Sequence, residues 1–113
     1  MEAYKLAGLE PASVFAYFEK ICSIPHGSHN TKAISDYLVA FAKANGLSFY
    51  RDATHNVLIK APATKGREGE PAVILQAHTD MVAEKLAGVS HDFEKEGIRL
   101  RKREDFNPNR RPM

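Results

Sequence analysis

The run Pro71-Ala72-Val73-Ile74-Leu75-Gln76-Ala77-His78-Thr79-Asp80 constrains this chain more than any other stretch. Its short apolar segment, with β-branched residues, predicts a buried strand. Side chains at i and i+2 of an extended segment share a face, so His78 and Asp80 are expected together. They fall just past the carboxyl end of the strand, where open α/β sheets place ligand sites. An imidazole there can bind a divalent metal through one nitrogen while the carboxylate steers the ring. The bare His-x-Asp tripeptide is common, however. A strand-end His and a loop Asp making ordinary hydrogen bonds to backbone explain it as well.

The residues before this run alternate between two periods. Glu10-Pro11-Ala12-Ser13 reads as a helix start, with Pro11 in the first turn, where a missing N–H costs nothing. Val14, Phe15, Phe18, Ile21 and Cys22 form one apolar stripe and are expected in the core. Ile24-Pro25 stops this helix, because the residue before proline avoids helical angles. His26-Gly27-Ser28-His29-Asn30 follows as a turn, without a carboxylate or cysteine nearby to complete a metal site with its two histidines. Asn30 is the expected N-cap of a second helix. Ile34, Tyr37, Leu38, Phe41 and Ala42 make its buried stripe, Lys32, Ser35, Asp36 and Lys43 its solvated face, and Asn45-Gly46 its C-cap pair. Leu47–Tyr50 and Asn56–Lys60 then read as two strands around a hairpin-like turn that contains His55. Ala61 to Pro71 is a polar surface loop. Leu86–Ser90 is a second loop, and Gly97-Ile98-Arg99-Leu100 is a candidate short strand.

Composition narrows the function classes. The chain has 113 residues and is 43% apolar, which suits one small folded domain. No run approaches the ~18 apolar residues of a membrane span. Met1-Glu2-Ala3-Tyr4-Lys5 lacks the basic-then-apolar layout of a signal peptide. The lone cysteine, Cys22, is expected as a buried reduced thiol, in keeping with the cytosol. The net charge of +2 is unevenly spread. Residues 1–98 carry a net −2, and residues 99–113 carry +4, with Arg99, Arg101, Lys102, Arg103, Arg110 and Arg111 against Glu104 and Asp105. From Arg101 on, the chain lacks periodicity and reads as a disordered basic tail. Such a tail offers salt-sensitive, non-specific attraction to nucleic acid, with no motif for specific recognition.

The flanks of the His-x-Asp pair carry a resemblance. Leu75-Gln76-Ala77-His78-Thr79-Asp80-Met81-Val82-Ala83-Glu84-Lys85 resembles the metal-site strand of the aminoacyl-histidine dipeptidases, cytosolic di-zinc peptidases of the carnosinase-like family. His91-Asp92-Phe93-Glu94-Lys95, Gly97-Ile98, Ser23-Ile24-Pro25-His26-Gly27-Ser28 and Ala61-Pro62-Ala63-Thr64-Lys65-Gly66 extend it over roughly residues 9 to 100. Ala77 and Thr79 stand where the family more often has glycine and leucine, and Ala83 where it often has cysteine.

The resemblance implies an α/β fold: the N-terminal, truncated part of a three-layer α/β/α sandwich with a mixed sheet, two helices preceding the strands. Residues 1–100 would be that portion of the catalytic domain and 101–113 the tail. It implies Zn2+ as cofactor, two ions per site, with His78 as a metal ligand and Asp80 as the catalytic carboxylate. The substrate would be a dipeptide of the aminoacyl-histidine type, such as β-Ala-His. The segment His91-Asp92-Phe93 would take a structural or substrate-side role. The family's other motifs are a loop Asp that bridges the metals, a Glu-Glu pair, a further Asp and a distal His. None occurs in these residues, so the expectation is a chain that does not hydrolyse peptides alone. The competing reading is a non-catalytic interaction domain built on the same half-fold.

Overall fold

The computed structural model describes residues 5–102. Helix α1 spans Ala12–Ser23, with Pro11 as its N-cap residue in extended conformation. It ends as the Ile24-Pro25 pair requires: Ile24 is already extended at φ −97° and ψ 125°. Helix α2 spans Lys32–Ala44. Its C-terminus closes on Asn45 and Gly46, the latter at φ 66°, a left-handed conformation that glycine adopts without strain. The Leu47 N–H then returns to the Ala42 carbonyl at 2.9 Å and turns the chain into the first strand.

Strand β1 (Ser48–Arg51) pairs antiparallel with β2 (Val57–Lys60), in the register Ser48 to Lys60 and Arg51 to Val57. Asp52 ties the connecting turn. Its Oδ1 accepts from the Thr54 and Asn56 backbone N–H groups, each at 2.9 Å, and its Oδ2 from the Asn56 side-chain amide at 2.9 Å. The hairpin lies against α2, where Arg51 and Lys32 both reach Asp36, at 2.5 and 2.8 Å.

The core consists of Leu6, Cys22, Ile34, Val39 and Ala42 among the described apolar residues. Leu6 is anchored by its N–H, which donates to Glu19 of α1 at 3.0 Å. Burial pushes the Cys22 thiol above its ordinary pKa, which keeps it protonated.

Several expectations need correction. The run Pro71–Ala77 is not a strand, and Val73, Ile74 and Leu75 are 83%, 84% and 92% exposed. A strand is defined by its neighbours, and among the described residues no backbone pairs with this run. The sandwich therefore reduces to its coarser form, an α/β arrangement of two helices and one two-stranded sheet.

The α1 stripe is only partly covered: Cys22 is buried, but Val14 and Phe18 are exposed, since no layer of the described residues lies over them. On α2, Ser35 is enclosed rather than solvated. It sits at i, i+4 and i+7 with Val39 and Ala42, and its hydroxyl has no hydrogen-bond partner. The α2 N-cap is Thr31, not Asn30, whose side-chain amide instead donates to the Glu94 carbonyl. Gly97–Leu100 forms no strand either. It is held to the end of α1 by the Ile98 N–H, which donates to the Cys22 carbonyl at 2.7 Å. The expected basic tail lies, from Arg103 onward, outside the described residues.

Candidate functional site

Two segments far apart in sequence meet at the candidate site. The turn after α1 runs beside residues 80–81: the Met81 N–H donates to the His26 carbonyl at 2.9 Å, and the Ser28 N–H to the Met81 carbonyl at 3.2 Å. These bonds make a parallel bridge between Gly27 and Met81. They fix where His78, Thr79 and Asp80 leave the unpaired run.

His78 and Asp80 are in direct contact. Nδ1 of His78 lies 2.7 Å from the Asp80 backbone carbonyl and 3.1 Å from its Oδ1. Both neighbours are acceptors, so Nδ1 carries the proton and donates. Nε2 is then left with its lone pair on a ring whose side chain is 74% exposed. This is the tautomer in which a histidine ligates a metal through Nε2 while a carboxylate orients it from behind. Asp80 is also held by Ser28, whose hydroxyl donates to Oδ2 at 2.7 Å. That bond first, and the His78 contact second, lower the Asp80 pKa below its ordinary value, so the carboxylate is ionised at neutral pH.

The other histidines do not join this pair. His26 is buried, and its Nδ1–H donates to the Ile24 carbonyl at 2.6 Å, which makes it part of the packing of the turn. His91 is enclosed as well. Its ring lies 4.5 Å from that of Phe93, and its Nδ1 is 3.3 Å from a Glu96 carboxylate oxygen. Beneath the site an apolar trough of about 280 Å³ opens between the helices and residues 78–81, lined mainly by Phe18, Ile21, Ile34, Leu38, Ile98 and Leu100.

The donor set matches one position of a zinc centre. Among the described residues, no three His, Cys, Asp or Glu side chains gather as a metal-binding group. Catalytic zinc uses about three protein ligands and a water, and a paired site uses more. His78 with Asp80 fits one ligand and its orienting carboxylate. A full di-zinc centre does not fit the residues described.

Known proteins give this geometry a setting. Over 94 residues, the chain is 44% identical to the cytosol non-specific dipeptidase of Escherichia coli (strain K12), a match covering 83% of this chain and 19% of that protein. A crystal structure of the aminoacylhistidine dipeptidase from Vibrio alginolyticus matches with a TM-score of 0.78 at 44% identity, again over 83% of this chain and 19% of that one. Both relatives are dipeptidases. No family model matches the chain. The resemblance read from the flanks of His78 and Asp80 is thus borne out, and so is the α/β character of the fold. The structural match is too wide to rest on the helices and hairpin alone, so it includes part of the chain after β2. The chain spans about a fifth of the length of either dipeptidase.

The sequence alone placed His78 beside Asp80, though through a strand the structure lacks. It missed the bond from Ser28, whose motif was visible only as part of the resemblance. No local spacing relates residues 52 positions apart.

Proposed function

We propose that this chain carries one corner of the active site of a metal-dependent dipeptidase. His78 is a zinc ligand through Nε2, and Asp80 is the carboxylate that orients it. The observation that carries the reading is the double contact of Nδ1 with Asp80, which leaves Nε2 free and exposed. The 44% identity to two dipeptidases supports it. Following the name of the Vibrio relative, the substrate class is a dipeptide of the aminoacyl-histidine type, and following that of the Escherichia coli relative, a cytosol dipeptidase named non-specific, the compartment is the cytoplasm. Neither a specific nucleic acid nor a membrane partner belongs to this reading. Among the described residues, no helix is long and apolar enough to cross a membrane.

A zinc ion held in part by His78 would supply the charge that polarises a peptide carbonyl and lowers the pKa of water. The chain's own contribution is narrower. Asp80 holds the proton of His78 at Nδ1, fixes the ring's orientation and stays ionised while doing so. A bridging carboxylate and a general base are not among the residues gathered here, and losing one essential group commonly costs ~10³–10⁶ in rate. These 113 residues are therefore expected not to hydrolyse β-Ala-His with added zinc. Turnover by the purified chain that disappears in His78→Ala would contradict this.

A second reading, a non-catalytic interaction domain, draws on the exposed Val73, Ile74 and Leu75 and the open trough. A monodisperse folded monomer in sedimentation would count against this second reading, since an interaction domain of this kind needs a partner, whereas self-association through the exposed run is expected under either reading.

A further inference from the structure

Ser28 completes a polar chain at the site that neither His78 nor Asp80 completes alone. Its hydroxyl donates to Oδ2 of Asp80 at 2.7 Å, while Oδ1 of the same carboxylate lies 3.1 Å from Nδ1 of His78, beside the 2.7 Å contact of that Nδ1 with the Asp80 backbone carbonyl. Each carboxylate oxygen thus has its own donor. Backbone bonds bracket the contact, with the Ser28 N–H on the Met81 carbonyl and the Met81 N–H on the His26 carbonyl. The hydroxyl is therefore delivered by fixed main chain on both sides. Without it, a surface carboxylate whose side chain is 41% exposed would sample other rotamers in water. A neutral donor also suits the task. It sets the direction of the carboxylate without cancelling the charge that attracts the imidazole N–H.

We propose that Ser28 is a positioning residue, whose hydroxyl holds the Asp80 carboxylate in the rotamer that receives Nδ1–H of His78 and so keeps Nε2 available to a divalent metal. The metal half of this statement rests on the dipeptidase reading. The hydrogen-bond half stands on the geometry alone.

The test reads the His78 ring in the whole chain by long-range 1H–15N correlation. At mildly alkaline pH a neutral imidazole is either the Nδ1–H or the Nε2–H form. The unaltered chain is expected to show mainly Nδ1–H. Ser28→Ala is expected to lower the ratio of Nδ1–H to Nε2–H by roughly 2- to 10-fold, the range of one neutral hydrogen bond. Ser28→Thr, which keeps the hydroxyl, should retain the original ratio. Backbone shifts of α2 and the hairpin report whether each variant is folded. Should Ser28→Ala lose the fold, Ser28→Thr against the near-isosteric Ser28→Val makes the same comparison. An unchanged ratio in a folded Ala or Val variant overturns the proposal, as does an Nε2–H ring in the unaltered chain. Hydrolysis plays no part in this readout, so a failed peptidase assay leaves the role of Ser28 standing; an unchanged ratio in the variants overturns the role of Ser28 and leaves the dipeptidase reading standing, whereas an Nε2–H ring in the unaltered chain counts against both.

Discussion

A methyl group on Gly97 would lie 2.4 Å from the Cys22 carbonyl oxygen and 2.5 Å from the Ser23 carbonyl carbon. Those atoms are main chain at the end of α1, with no flexible side chain to move aside. Either the helix end or the 97–98 segment must shift, and the bond from the Ile98 N–H to the Cys22 carbonyl is the first contact at risk. Gly97→Ala is expected to destabilise the chain by ~1–3 kcal/mol, the usual cost of forcing extra carbon into a close contact. The change should appear as a lower urea midpoint with little change in slope. A midpoint equal to the original would mean that this approach contributes nothing to stability. Gly97 also belongs to the stretch by which the sequence resembles the dipeptidases. Only a residue without a Cβ lets the two backbones come this close.

In the β1–β2 hairpin, the turn is held by a single carboxylate. The Asn56 and Thr54 bonds hold the Asp52 pKa down, from 3.8 to about 2. A group whose pKa is lower in the folded chain contributes stability above its unfolded value and loses it as pH falls through the folded one. The contribution of Asp52 is thus complete above about 3.8 and is lost as pH falls toward and through about 2. The Thr54 and Asn56 amide resonances are expected to move together across that window, and Asp52→Asn should remove the dependence. Amides that titrate nearer 4 would place the Asp52 carboxylate outside the turn. This hairpin, like the two helices, was legible in the sequence because its signals are local: Pro25 stops α1, Gly46 caps α2, and polar turn residues separate two short β-prone runs. Ser35 was not legible. Its polarity assigned it to solvent, while its position on the helix puts it on the face of Val39 and Ala42. The run Pro71–Ala77 failed for the opposite reason. Its composition is that of a buried strand, but pairing depends on edges that no local pattern contains.

For the molecule as a whole, that run leaves a concentrated apolar surface. Val73, Ile74 and Leu75 are consecutive, each more than four-fifths exposed, with unpaired backbone on both sides among the described residues. Unpaired, uncharged and β-branched segments of this kind are templates for pairing with another chain. The hydrophobic effect acts in the same direction, at roughly 25 cal/mol per Å² removed from water. The purified chain is therefore expected to self-associate as its concentration rises, visible in sedimentation velocity as growth of species larger than the monomer. Ile74→Lys separates this surface from the fold itself. The side chain is 84% exposed, so a lysine there loses little packing and adds charge to the edge. The urea midpoint should stay within the usual range of a surface change, about 0.5 kcal/mol, while association falls. If Ile74→Lys instead lowers the midpoint strongly, the run is packed within the chain in solution. If association persists unchanged, the sticky surface lies elsewhere, and the apolar trough beside His78 becomes the face to alter next.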